Sequence, residues 1–65
     1  MQHIAGRLKQ IRLKQRLTQI EVAKKAGIST NYYARCERGE VKPSVYVLEK
    51  ITKALKVRSS EILPF

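Results

Sequence analysis

The sequence predicts an all-α protein: a compact bundle of about five short helices, folded as one domain over residues 1–65. Three observations carry this. Apolar residues recur at spacings of three and four along most of the chain, the period of a helix with one face on a core. Serine or threonine precedes several of these stripes, where a side-chain oxygen can accept from the free N–H groups of a first helical turn. No segment reads as a credible strand.

Ile4, Leu8 and Ile11 form the stripe of a first helix ending near Gln15 or Arg16. Thr18 starts a second. In T-Q-I-E, Glu21 stands three residues on, the spacing of a capping box in which each side chain satisfies the other residue's backbone N–H. Gly27 stops that helix where the chain must turn through positive φ. Ser29 can cap a third helix, which Gly39 closes. Pro43-Ser44 opens a fourth, with Val45, Leu48, Ile51 and Leu55 as its stripe. Ser59 or Ser60 can cap a terminal turn holding Ile62 and Leu63. The glycines and prolines are read as punctuation between these elements.

A chain of 65 residues buries only about 60% of its unfolded surface, so its stability is marginal and pairing with a second copy would help. At 43% hydrophobic it still has enough apolar material for one core. Fourteen Lys and Arg face five Glu and no Asp, for a net charge of +9 and a pI near 10.2. Arg7, Lys9, Arg12, Lys14 and Arg16 all precede the first acid, Glu21. This balance points to a polyanionic partner, nucleic acid or an anionic membrane surface, with a merely solvated charged surface as the alternative. One cysteine cannot close an internal disulfide, which fits a reducing cytoplasm. No apolar run approaches ~18 residues, so no segment is expected to span a bilayer, and nucleic acid rather than a membrane is the expected partner. Enzyme chemistry is not expected either. His3 is the only histidine, no carboxylates pair, and no G-x-x-x-x-G-K loop occurs. One Cys and one His make no metal site, and no cofactor is implied.

Residues 19–38 are the most informative stretch. Two short helices meeting steeply across a tight turn need a small residue at their close approach, and Ala23 supplies it. Gly27 occupies the turn, while Val22, Ala26, Ile28, Tyr33 and Cys36 fall where support must be apolar. That is the pattern of a helix-turn-helix, an ordinary αα-hairpin being the alternative.

On LTQIEVAKKAGIS, the E-R-G ending the third helix, and K-P-S followed by L-E-K-I-T-K-A-L-K-V and E-I-L, the chain resembles the Cro/repressor-type (XRE-like) helix-turn-helix regulators. The resemblance implies the lambda repressor-like fold, a five-helix bundle whose third helix enters the major groove of double-stranded DNA. Cys36 and Tyr33 depart from it, standing where the family usually has aliphatic residues.

At about 100° per residue, Thr30, Asn31, Ala34, Arg35 and Arg38 fall on one arc of the third helix, and Tyr32, Tyr33, Cys36 and Glu37 on the other. The first arc suits base edges. Asn31 can pair with adenine, Arg35 with guanine, and the Thr30 methyl with thymine. The resemblance places direct contacts at these three positions. The alternative is that Asn31 only solvates the first turn and Arg35 only meets phosphate. Tyr32 lies at the boundary, where its hydroxyl can reach a phosphate or its ring simply pack. Tyr33 and Cys36 are assigned to the core, a redox-sensing thiol being the second reading of Cys36.

Glu37 faces inward and needs a partner, and Arg12 borders the first helix's stripe. The resemblance implies a partly buried Arg12–Glu37 ion pair; the alternative is two solvated charges. Gln19 opens the second helix at a natural anion site, and the resemblance puts it on the DNA backbone, in some members also bracing a base reader. Thr18, Arg38 and Lys42 complete the candidate phosphate contacts. Lys24, Lys25, Lys50, Lys53, Lys56 and Arg58 are read as solubilising charge. A homodimer is expected on half-sites about 34 Å apart, with Val45, Val47, Ile62, Leu63 and Phe65 as the candidate seam, although the tail can equally cap its own core. A transcriptional repressor is the favoured function. An antitoxin-like or adaptor module holding a separate protein partner is the alternative, and a non-specific polyanion binder a third.

Overall fold

Thr18 opens the element that organises the chain. Its hydroxyl accepts from the Glu21 backbone N–H at 3.1 Å, and the Glu21 carboxylate accepts from the Thr18 N–H at 2.8 Å, closing the capping box. The computed structural model describes residues 2–58, and within them four helices follow in order. They are α1 (Gln2–Lys14), α2 (Gln19–Ala26), α3 (Thr30–Glu37) and α4 (Val45–Leu55). Ser29 and Ser44 cap α3 and α4, each accepting from the backbone N–H three residues on.

The helix ends share one geometry. After α2, Gly27 (φ 73°) lets its own N–H reach the Lys24 carbonyl and the Ile28 N–H reach Ala23, the Schellman pattern. Gly39 (φ 75°) repeats it after α3, with Gly39 N–H on Cys36 and Glu40 N–H on Arg35. α1 and α4 turn the same way without glycine, through Arg16 (φ 58°) and Lys56 (φ 57°). The left-handed turn at Arg16 ends α1 at Lys14, slightly before the sequence expectation. Gly6 corrects a second expectation: it lies inside α1 and punctuates nothing.

α2 packs on α3 and α4, and α1 packs on α3. Leu8, Val22, Tyr33, Ile51 and Leu55 are fully enclosed where these helices meet, and burying side chains of this size contributes about 1.5–3 kcal/mol each. Ala23 is buried where α2 is crossed, as the small-residue argument requires. On α4 the buried stripe is Leu48, Ile51, Thr52, Ala54 and Leu55. Val45 does not join it: at the first turn of α4 it is half exposed. Among the described residues no helix is long and apolar enough to cross a membrane. The expected terminal turn lies outside the described residues.

Candidate nucleic-acid interface

α3 packs against two helices, so its buried arc is wide. Tyr33, Ala34, Cys36 and Glu37 are buried, Thr30 and Tyr32 are partly covered, and Asn31, Arg35 and Arg38 are exposed. Ala34 was expected on the outer arc and instead lies on the packed face, because α1 and α2 together enclose more of α3 than half its circumference. The open surface is therefore a narrow polar stripe, Asn31–Arg35–Arg38, with Thr30 at its upper edge. Thr30 shares an open depression with Arg12, Leu17, Thr18, Gln19 and Ile20.

Beneath the stripe sits a polar node. Arg12 Nε donates to Glu37 Oε2 at 2.6 Å and Nη2 to Oε1 at 3.1 Å, while Nη1 donates to the Leu17 carbonyl at 2.9 Å. One guanidinium thus ties α1 to α3 and to the turn leading into α2. Both charged residues are 8% exposed. Gln19 turns inward as well, its side-chain amide donating to Glu37 Oε1 at 3.0 Å. Burial alone would raise the Glu37 pKa, but the interactions with Arg12, Tyr33 and Gln19 outweigh it and hold the carboxyl below its ordinary range. Burial first, then the neighbouring Glu37 carboxylate, pushes the Tyr33 hydroxyl well above the ordinary phenol range. That hydroxyl closes no hydrogen bond of its own within the described residues.

Beyond α3 the structure adds a residue that the sequence did not single out. Glu40 accepts from Arg38 Nε at 2.6 Å and Nη2 at 3.4 Å, and more loosely from Arg35 Nε at 3.4 Å. These are exposed contacts, and they hold the Glu40 carboxyl below its ordinary range. The signal that could have found it is the E-R-G-E run, since a Schellman turn at glycine folds the next residue back over the helix end.

The other candidates are scattered around this surface. Thr18 is exposed at the α2 cap, and Lys42 is exposed in the loop before α4. Cys36 is buried and faces a mainly apolar cavity of about 160 Å³ shared with Ile4, Leu8, Val41 and Leu48. Burial raises its thiol pKa, which keeps it protonated and works against a redox role. Lys24, Lys25, Lys53, Lys56 and Arg58 are exposed, while the Lys50 ammonium lies 4.8 Å from the centre of the Tyr46 ring. Of the candidate seam, Val45 and the adjacent Tyr46 are exposed, whereas Val47 packs partly against the core. Ile62, Leu63 and Phe65 lie outside the described residues. Among the described residues no cluster of His, Cys, Asp or Glu could hold a metal.

The capped α2, the Gly27 turn and an α3 whose polar stripe faces away from its support match the helix-turn-helix family model over residues 8–62. The chain belongs to that family, of the Cro/repressor (XRE) type. Its members are non-enzymatic DNA-binding regulators. This helix-turn-helix chain is 38% identical over 60 residues to the immunity repressor protein of Bacillus phage phi105, covering 92% of this chain and 42% of that one. It is 50% identical over 48 residues to the uncharacterized HTH-type transcriptional regulator YqaF of Bacillus subtilis (strain 168), covering 74% and 63%. The chain thus spans less than two thirds of either relative. Among solved structures it is similar to the restriction-modification controller protein C.AhdI from Aeromonas hydrophila, with a TM-score of 0.91 and 26% identity over 94% of this chain and 92% of that one. The clp gene regulator ClgR from Corynebacterium glutamicum shares the fold, with a TM-score of 0.92 at 24% identity over 97% of this chain and 67% of that one.

Proposed function

We propose that residues 1–65 form one helix-turn-helix domain that acts as a homodimeric transcriptional repressor and reads an inverted-repeat operator through α3 in the major groove. One observation carries the reading: the only polar stripe on α3, Asn31–Arg35–Arg38, faces outward while a buried ion pair secures the opposite side. Asn31 suits adenine, Arg35 suits guanine, and Thr30 suits a thymine methyl at the edge of the footprint. Thr18, the first-turn N–H groups of α2 at Gln19, the Tyr32 hydroxyl, Arg38 and Lys42 supply the phosphate contacts. The Gln19 side chain braces Glu37, so its backbone contributes more to phosphate than its amide does. The exposed Val45, with Val47, Ile62, Leu63 and Phe65, forms the dimer seam. That the phage relative is an immunity repressor supports the sign of regulation.

The test is selection of tight binders from a random duplex pool at roughly physiological salt, where base contacts must outcompete the phosphate term. The expected result is an inverted repeat with half-sites about one helical turn apart. Asn31→Ala and Arg35→Ala then relax it at separate positions, each costing about 1–3 kcal/mol of discrimination. Salt-sensitive binding without any consensus would refute operator reading and direct the search to a protein partner.

A further inference from the structure

We propose that Glu40 is a positioning and specificity-determining residue, which braces Arg35 for base reading and competes with phosphate for Arg38. This rests on the operator-reading function proposed above. Glu40 reaches Arg35 only through Nε, at 3.4 Å. Both terminal nitrogens of Arg35 stay clear of it, and they form the fork that meets guanine O6 and N7. On Arg38 the same carboxylate takes Nε and Nη2 together, at 2.6 and 3.4 Å. A phosphate that took this edge side-on would have to displace the carboxylate, so Glu40 competes with the DNA backbone for Arg38.

The brace is fixed to the helix it serves. The Glu40 backbone N–H donates to the Arg35 carbonyl at 3.0 Å, inside the turn that Gly39 closes at φ 75°. The side chain therefore springs from a point set by α3 itself. Its carboxylate is also the only acid the structure places against the outward stripe among the described residues, in a chain of net charge +9. A protein this basic binds any duplex through phosphate neutralisation. An acid that lowers that sequence-independent attraction, and orders the base-reading arginine at the same time, widens the gap between operator and bulk DNA.

The experiment compares wild type, Glu40→Gln, Arg35→Ala and the double variant on the selected operator and on a scrambled duplex, each over a series of salt concentrations. Glu40→Gln keeps the size of an exposed side chain, and thermal melting verifies its fold. Non-operator affinity rises roughly two- to fivefold per protomer, as expected for releasing Arg38 from an exposed charge pair. The salt slope steepens by about 0.9 per protomer as Arg38 takes up a phosphate. Operator affinity rises less or falls, and preference is lost at the guanine that Arg35 reads. In the Arg35→Ala background, Glu40→Gln shifts both duplexes by the same factor. Equal shifts in the wild-type background, with the consensus unchanged, would overturn the role of Glu40 and leave operator reading standing. Absence of any consensus for the wild type would overturn operator reading, and the specificity role of Glu40 with it.

Discussion

Replacing Arg12 with alanine removes three hydrogen bonds at once, two to Glu37 and one to the Leu17 carbonyl. What remains is a buried carboxylate with the Gln19 side-chain amide as a donor and no opposing charge. Breaking a buried pair from one side costs about 3–5 kcal/mol, most of it the penalty of the stranded charge. A domain of 65 residues has a total stability of about 3–10 kcal/mol. The variant therefore unfolds at far lower urea or is unfolded outright. Urea titration followed by far-UV circular dichroism measures this. Arg12→Lys, which keeps the charge but loses the fork, falls between wild type and alanine. Arg12→Met combined with Glu37→Gln recovers part of the loss, because no uncompensated charge is left inside.

The pH dependence isolates the cause. In the wild type the folded Glu37 pKa lies below its ordinary value of 4.5, so its contribution is present above that value and is lost as pH falls through the depressed one. In Arg12→Ala, burial acts without the cation and raises the Glu37 pKa instead. Acidification then protonates the stranded carboxylate and relieves the penalty. The gap between wild type and variant is widest near neutral pH and narrows towards about pH 4. A loss below ~0.5 kcal/mol, or a gap that does not change with pH, would show that the pair is an ordinary surface contact and refute the argument.

Two further outcomes follow from local geometry. Gly6→Ala stabilises the protein by about 0.5–1 kcal/mol in thermal or urea unfolding, since Gly6 lies inside α1 and an added Cβ would meet nothing within 4 Å. A destabilised variant would mean that this face of α1 is covered. Cys36 reacts with a thiol reagent only through unfolding, so its labelling rate tracks urea-dependent opening; fast labelling of the native protein would contradict its burial.

Much of the fold was legible because its signals are local. T-Q-I-E fixes the α2 cap within four residues, and Gly27 marks a left-handed turn that other residues resist. Ala23, Tyr33 and Cys36 could be assigned inward from helical period alone. The errors arise where tertiary packing sets the answer. A helical wheel gives the angle of Ala34 but not the width of the buried arc, and α3 has two neighbours rather than one. Val45 shares the apolar period of α4 yet sits in its first turn, half exposed. Arg16 and Lys56 adopt positive φ with no sequence mark at all. At the candidate interface, the outward positions of Asn31, Arg35 and Arg38 were readable, but Glu40 was not, because its contacts depend on the chain folding back after Gly39.

The polar node bears on reading as much as on stability. A helix held by apolar contacts alone can roll slightly at little energetic cost, because dispersion and burial are non-directional. With side-chain tips about 5–6 Å from the helix axis, a roll of roughly 10° displaces them by about 1 Å, enough to spoil a hydrogen bond to a base edge. The two bonds from Arg12 to Glu37 are directional, and Glu37 lies about 120° around α3 from Asn31. Rotation that moves Asn31 or Arg35 must therefore stretch a buried bidentate pair, and the third bond from Arg12 to Leu17 resists compensation by α1. Gln19 adds a lateral tie from α2 to the same carboxylate. For a domain that reads bases as proposed, the inward-facing acid on α3 is thus the counterpart of the outward-facing arginine: one sets the roll of the helix, and the other uses it.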